Sequence, residues 1–467
     1  MPNPPRSRLP WLAVIAYGSG NIACCILGYG IAGLANYVFN IGLGVDPFLV
    51  GLALSLPRAV DLVTDPLVGY ISDLYQARFS RQAFIAAGSL AGAGLFSMIW
   101  LFPPGLSVNG YFAWLLGFSC VTFVALSFVQ VPLQALGFEL SQEPEDRNRL
   151  MAFHLSLGSA AAVAIGWSFA ATQLPVFSTS LVGARWVGAA LALIVAAFGL
   201  FSAKFAKAPP DQRAAREPSA ELAAGNLGNL MASISRVFRS RPFLIVAGTV
   251  LSMCLGVFST SSINPYIAIY YVSKGNLKAG AILVGYSLMF YQLLSVVLGP
   301  VVSWLALRFG RKPTLVTFLS LAFVGNLAKW LCYTPSVPWL FIIPSLTSAA
   351  AFATVWTIAP ALVADVCDAE EQATGNYNGG MFAAFYGWTI KAGGTVAFTL
   401  SGYLLNLTGF DAALKTPQPE LVLNRMRLID FSLTAFSAGL AVYFILQLNA
   451  PKGTPGAVPL ASVPEAT

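Results

Sequence analysis

Apolar stretches of about 20 residues or more, long enough to cross the hydrocarbon of a bilayer, recur twelve times along this chain, near 11–40, 46–74, 82–103, 108–139, 150–174, 182–206, 242–272, 279–307, 313–334, 338–364, 374–408 and 427–448. That recurrence leaves few folds open. Backbone groups in hydrocarbon have no water to bond, so a segment must satisfy them internally, and successive spans of this length are expected to be helices. Composition agrees: 57% of the 467 residues are hydrophobic and 10% are charged, where a soluble domain carries about 25% charge. The expected fold class is an all-α membrane protein of twelve transmembrane helices in two pseudo-symmetric six-helix bundles.

One segment breaks the pattern. Residues 208–240 are polar and basic, and they divide the chain into an N-terminal bundle (1–207), a cytoplasmic linker (208–240), a C-terminal bundle (241–450) and a flexible tail (451–467). The halves echo one another. Arg78-Phe79-Ser80-Arg81-Gln82 follows the second span, and Arg308-Phe309-Gly310-Arg311-Lys312 follows the eighth. Equivalent loops six spans apart indicate a duplicated unit, an arrangement that places a transport site at the midplane between the repeats. Most of the 26 lysines and arginines fall on the side of the chain ends. The opposite side is expected to hold Arg185, Lys274, Lys278, Lys415, Arg425 and Arg427. Under the positive-inside rule both termini are cytoplasmic and the membrane is the inner one. The same bias accounts for the net charge of +7 without nucleic acid. The six cysteines lack metal-ligand spacing, so neither a disulfide nor a metal site is expected.

An ionisable group at the bilayer centre costs about 2.5–3.5 kcal/mol on insertion scales, so each such residue needs a reason. The second span reads Pro57-Arg58-Ala59-Val60-Asp61-Leu62-Val63-Thr64-Asp65-Pro66. Arg58, Asp61 and Asp65 recur at i, i+3 and i+7, on one helical face, with Thr64 beside them. Two carboxylates and a hydroxyl one turn apart form a hard oxygen set suited to Na⁺ or to a shared proton. Arg58 is expected to hold the acids when the cation is away. A static intramembrane ion pair is the structural alternative. Lys391, in the middle of the eleventh span, is expected as a counter-ion for Asp61 or Asp65. Lys329 lies near the end of the ninth span and is expected to snorkel toward the interface.

These residues resemble a known family. Arg58-x-x-Asp61-x-x-Thr64-Asp65-Pro66 with Gly69 and Arg78-x-x-Arg81, then Val131-Pro132-x-x-Ala135-Leu136-x-x-Glu139 with Asp146-Arg147-x-Arg149, and Ala364-Asp365-x-x-Asp368-x-Glu370 with Lys391-x-Gly393, resemble the glycoside–pentoside–hexuronide:cation symporters of the major facilitator superfamily. The resemblance spans both halves in order. It implies cation binding by Asp61, Asp65, Thr64 and Ser127, a facing lysine at Lys391, and a sugar-stacking ring at Trp356, whose plainer reading is helix packing. It implies a cation-coupled (Na⁺ or H⁺) symporter that imports a sugar, glycoside or sugar acid by alternating access. The expected partners are a small solute, the coupling cation and membrane lipid, with no cofactor, acting as a monomer. Asp73, Arg78, Arg81 and Asp365 are expected to form a cytoplasmic gate.

The departures bear on the solute. The family's sugar-binding acids fall at Cys25 and Gln130, and a neighbouring Trp at Gln134. His154 stands where many relatives carry Arg; it reads as an interfacial residue or a proton carrier. The loop Asn376-Tyr377-Asn378-Gly379 lacks charges common there. Asp61-Leu-Val-Thr-Asp-Pro-Leu-Val-Gly also resembles sodium-dependent lysophosphatidylcholine transporters, so a lysolipid or another non-sugar solute is the alternative. A non-transporting receptor or scaffold is the second, and costly buried charge argues against it. No catalytic triad, metal cluster or phosphate loop points to an enzyme; Gly18-Ser19-Gly20 has no following Lys.

Overall fold

A computed structural model describes residues 9–75, 78–140, 144–207, 237–261, 263–374, 379–411, 414 and 418–448. The described residues form twelve long helices: α1 (Trp11–Ala35), α2 (Pro47–Leu74), α3 (Arg81–Trp100), α4 (Val108–Leu140), α5 (Pro144–Thr172), α6 (Ser180–Phe205), α7 (Arg241–Ser261), α8 (Leu277–Phe309), α9 (Arg311–Cys332), α10 (Ile342–Thr374), α11 (Gly379–Leu407) and α12 (Glu420–Leu446). Eleven are long and apolar enough to cross a membrane. The twelfth, α11, has 29 residues, and Lys391 interrupts its apolar run. Their apolar character runs around much of each helix, as expected where the far side meets lipid rather than water.

The packing carries the duplication further than the loops do. In the first half α1 lies on α5 and α6, α2 on α4, and α3 on α4 and α6. In the second half α7 lies on α11 and α12, α8 on α10, and α9 on α10 and α12. Adding six to each label turns one set into the other. The halves meet through two symmetry-related pairs, α2 on α11 and α5 on α8. The central helix α1 is continued by a π-helical turn, Asn36–Gly42, and a second such turn, Ile267–Val272, follows α7 after a short helix, Ile263–Tyr266.

The halves are tied together on the face opposite the chain ends. Tyr266 donates to Asn40 Oδ1 at 2.8 Å, while Asn40 Nδ2 donates to the Val45 carbonyl at 2.7 Å. Asn406 Nδ2 donates to both oxygens of Asp46, at 2.9 and 3.1 Å. Between them α2 and α11 come into backbone contact. A Cβ on Gly402 would stand 2.4 Å from the Pro47 carbonyl oxygen, and one on Gly51 would stand 2.9 Å from that of Phe398. Glycine permits this approach because it has no side chain.

Two expectations from sequence are corrected. The last helix begins at Glu420, not near 427, so Arg425 and Arg427 belong to the helix and not to a loop. Arg427 is buried; it donates to the Tyr271 hydroxyl and the Trp330 carbonyl, both at 2.8 Å. Its guanidinium also stacks over both rings, 4.2 and 4.4 Å from their centroids. Lys329 does not snorkel. It is 6% exposed, and its ammonium donates at 2.9 Å to Asp430 of α12, which is fully buried. An inward carboxylate lay within reach, so the stem turned into the bundle. Stranding one member of a buried pair costs about 3–5 kcal/mol, whereas replacing both with apolar groups of like volume is often neutral. Lys329→Met is therefore expected to lower the thermal unfolding midpoint in detergent sharply, and Lys329→Met with Asp430→Leu to recover most of it.

Candidate functional site

The charged face of α2 is set between two prolines inside the helix, Pro57 and Pro66. Its acids point at the seam between the halves. Lys391 Nζ donates to Asp61 Oδ2 at 2.7 Å and also pairs with Asp65 Oδ2. One ammonium from α11 is thus shared by two carboxylates from α2. Asp61 is 6% exposed, which makes this pairing stronger than a surface one. On its other side Asp61 Oδ1 accepts from Ser127 Oγ of α4 at 3.0 Å, and Ser127 Oγ lies 2.9 Å from Thr64 Oγ1. Asp65 Oδ1 is buried and has no hydrogen-bond partner. Four oxygen-bearing side chains, Asp61, Thr64, Asp65 and Ser127, therefore converge on the space Lys391 reaches, and one carboxylate oxygen there has unused capacity. This donor set fits a small hard cation.

Arg58 shares the face but not the partners, which corrects the expectation that it holds the acids. Its Nη1 donates to the Leu54 carbonyl at 2.7 Å and its Nη2 to the Gly28 carbonyl of α1 at 3.1 Å. The guanidinium lies 4.1 Å from the Phe398 ring centroid of α11, 5.4 Å from Phe123 and 5.8 Å from Tyr29. One turn before Asp61, the Arg58 stem passes Gly394 and reaches away from the carboxylates, so Lys391 takes them both.

A profile of the MFS/sugar transport protein family matches residues 16–449. The chain belongs to that family. It is 22% identical over 418 residues to the isoprimeverose transporter of Lactiplantibacillus pentosus, covering 87% of this chain and 82% of that one. It is 29% identical over 158 residues to the sodium-dependent lysophosphatidylcholine symporter 1 of Gallus gallus, covering 32% of this chain and 29% of that one. Among solved structures the nucleoside transporter NupG shares the fold, with TM-score 0.64 at 15% identity over 94% of this chain and 99% of that one. The family, these relatives and the long apolar helices make this an integral membrane protein of the major facilitator fold.

The remaining site residues of this family member are spread over both halves. Trp356 is half-buried on α10 and stacks on Phe352, with centroids 4.3 Å apart. On α4 Gln130 is half-buried and Gln134 exposed. Cys25 Sγ lies 3.8 Å from Asn21 Oδ1, and Asn21 Nδ2 donates to the His154 carbonyl at 2.7 Å. The His154 ring stacks on Tyr17 at 5.2 Å, and its Nδ1 is buried without a partner. His154 thus packs between α1 and α5. Nearer the chain ends, Arg81 donates to Ser72 at 3.3 Å, Asp365 pairs with Arg311 of its own half, and Arg78 is exposed. The side chain of Asp73 and the loop Asn376–Asn378 lie outside the described residues.

Sequence reading missed the aromatic setting of Arg58, because Tyr29, Phe123 and Phe398 come from three different helices with no shared spacing. It also missed Asp430, although a lone acid within the last apolar span is a detectable signal. Removing the shared ammonium leaves two adjacent carboxylates uncompensated. Lys391→Met is expected to destabilise the detergent-solubilised protein by about 3–5 kcal/mol, and adding Asp65→Asn to restore part of that loss; unfolding midpoints of the three proteins test it.

Proposed function

We propose that this protein is a cation-coupled secondary symporter that imports a sugar, glycoside or sugar acid by alternating access. The observation that carries the reading is the triad: a single lysine from one half holds two intramembrane carboxylates from the other. Asp61 and Asp65, with Thr64 and Ser127, take Na⁺ or H⁺; Trp356, Gln130, Gln134 and Cys25 face the solute. A cation entering the oxygen set competes with the Lys391 ammonium. Its binding loosens the tie between α2 and α11 and returns Lys391 to the pocket, where it is available to solute or to a neighbouring oxygen. Coupling of this kind is reciprocal and typically about 1–3 kcal/mol, so solute tightens cation binding as much as cation tightens solute binding. The protein sits in the inner membrane with both termini cytoplasmic, consistent with the bias of basic residues. Asp73, Arg78, Arg81 and Asp365 belong to the cytoplasmic gate, and 208–240 links the two bundles.

The similarity to a lysophosphatidylcholine symporter supports a second reading, a lysolipid cargo, over a third of the chain. One titration separates the two. Calorimetric addition of Na⁺ to purified protein, with glycosides, uronides or lysolipids, is expected to give Na⁺ heat that tightens with a glycoside or uronide. The heat is expected to vanish in Asp61→Asn, and uphill uptake in proteoliposomes to fall to background in Asp61→Asn and Asp65→Asn. Uphill uptake at the wild-type rate in either variant excludes this mechanism. Proton uptake on solute binding without Na⁺ heat assigns the coupling to H⁺.

A further inference from the structure

Of the two ties on the face opposite the chain ends, the one between Asp46 and Asn406 lies at the surface, and the other is sealed. Tyr266 donates to Asn40 across the seam, and neither side chain is accessible. A hydrogen bond of this kind forms only when its donor is aimed within a narrow cone. Yet Tyr266 stands on an irregular stretch. It ends a four-residue helix, Ile263–Tyr266, that contains Pro265, and the π-helical turn Ile267–Val272 begins at the next residue. Proline removes a backbone donor, and a π turn interrupts the regular ladder. The direction of Tyr266 therefore has to be fixed from outside the stretch.

Polar contacts grip the stretch on either side of Tyr266. Before it, Asn264 Nδ2 donates to the Tyr333 hydroxyl at 2.8 Å. Tyr333 is buried and lies beside Asp430, which the Lys329 ammonium holds at 2.9 Å. After it, Arg427 donates to the Tyr271 hydroxyl, and the same guanidinium donates to the Trp330 carbonyl. Arg427 and Asp430 stand one turn apart on α12, and Lys329, Trp330 and Tyr333 gather at the end of α9. One buried cluster thus anchors both ends of the segment that carries the tie. Stability alone does not call for charge in this place. Apolar groups of like volume serve a core as well as a buried ion pair, and charge in hydrocarbon is costly. Apolar packing fills space without setting a direction, whereas hydrogen bonds set one.

We propose that Arg427 and the Lys329–Asp430 pair are positioning residues of the gate opposite the chain ends. They aim Tyr266 at Asn40 by holding Ile263–Val272 at Asn264 and Tyr271, and so set how often that face opens. The inference rests on the alternating-access reading above. None of the three touches the solute or the coupling cation; they act through Tyr266.

The test reads the gate itself. Val176 and Val337 are exposed in loops on that face, one in each half. Val176→Cys and Val337→Cys, in a background freed of the six native cysteines, carry nitroxides whose separation is measured by pulsed electron paramagnetic resonance in nanodiscs. Losing one buried hydrogen bond changes a two-state ratio by roughly tenfold. Tyr266→Phe is expected to raise the ratio of long to short distances by about that factor. Tyr271→Phe and Tyr333→Phe keep the rings and remove the anchoring hydroxyls; each is expected to raise the ratio at least about threefold. Tyr266→Phe with Tyr333→Phe is expected to match Tyr266→Phe alone, because the anchor acts through the tie. Lys329→Met with Asp430→Leu, expected to keep most of its unfolding midpoint, is expected to open the gate all the same, which a merely stabilising pair would not do. The tyrosine variants decide the matter if that double variant does not fold. Wild-type distances in Tyr271→Phe and Tyr333→Phe, or a Tyr266–Tyr333 double variant that opens further than Tyr266→Phe by the full Tyr333→Phe factor, overturn the inference; a distance shift with Na⁺ or low pH in the same samples then leaves alternating access standing. One fixed distance in every variant, cation and pH, with no uphill uptake in proteoliposomes, overturns alternating access and this inference together.

Discussion

A carboxylate inside hydrocarbon has no water to share its charge with, and in this protein Lys391 supplies what water would. The contact spans 330 residues of sequence. It requires α2 and α11 to pack closely, which the glycines at 51 and 402 allow on one side of the membrane. The hydroxyls of Thr64 and Ser127 complete the setting from the acid side. An ammonium is an exchangeable partner in such a place, because any small cation that offers the same charge to the same oxygens can take its position. The interaction that holds the two halves is therefore also the one a coupling ion can contest.

The duplication makes two interfaces between the halves geometrically alike, but their chemistry differs. The α2–α11 seam carries two acids, one lysine and one arginine. The α5–α8 seam carries neutral contacts: Gln292 donates to Ser159 at 3.0 Å, and Trp167 and Leu288 lie against glycines 285 and 166. Cation binding can alter the first seam strongly and the second scarcely at all. A rocking motion needs one contact that responds and one that persists, and this asymmetry provides both within a symmetric fold. On the face opposite the chain ends the pairs Asn40–Tyr266 and Asp46–Asn406 are hydrogen bonds between exact chain segments that must separate if that side opens. Asn40 lies in the π-helical turn that continues α1, and Tyr266 immediately precedes the one that follows α7; such turns are common at functional positions.

A second group of buried charges has a different character. Lys329 and Asp430 join α9 to α12, and Arg427 is held by Tyr271 and Trp330. Every one of these partners lies in the second half, so the network stiffens that half without bridging the seam. Lys329 and Asp430 are matched one to one, whereas the central lysine serves two acids. This difference in charge matching separates a static intramembrane pair from a site with capacity for a mobile ion.

The sequence by itself determined the twelve spans, the six-plus-six repeat and the shared face of Arg58, Asp61, Thr64 and Asp65, because hydrocarbon thickness fixes span length and helical periodicity fixes which residues share a side. It also pointed to Lys391 as a buried charge in need of a partner. Only the tertiary structure decided who pairs with whom. Spacing of i and i+3 put Arg58 near Asp61, but the arginine's long stem carries its fork back to the Leu54 and Gly28 carbonyls and under Phe398, while the lysine from α11 takes both carboxylates. Lys329 read as an interfacial residue because its position in the span is terminal, and it turned inward because Asp430 stands on the neighbouring helix. Helical periodicity sets the direction of a side chain about its own axis. The identity of what meets it there depends on how helices far apart in sequence are packed, and that is a property of the fold as a whole.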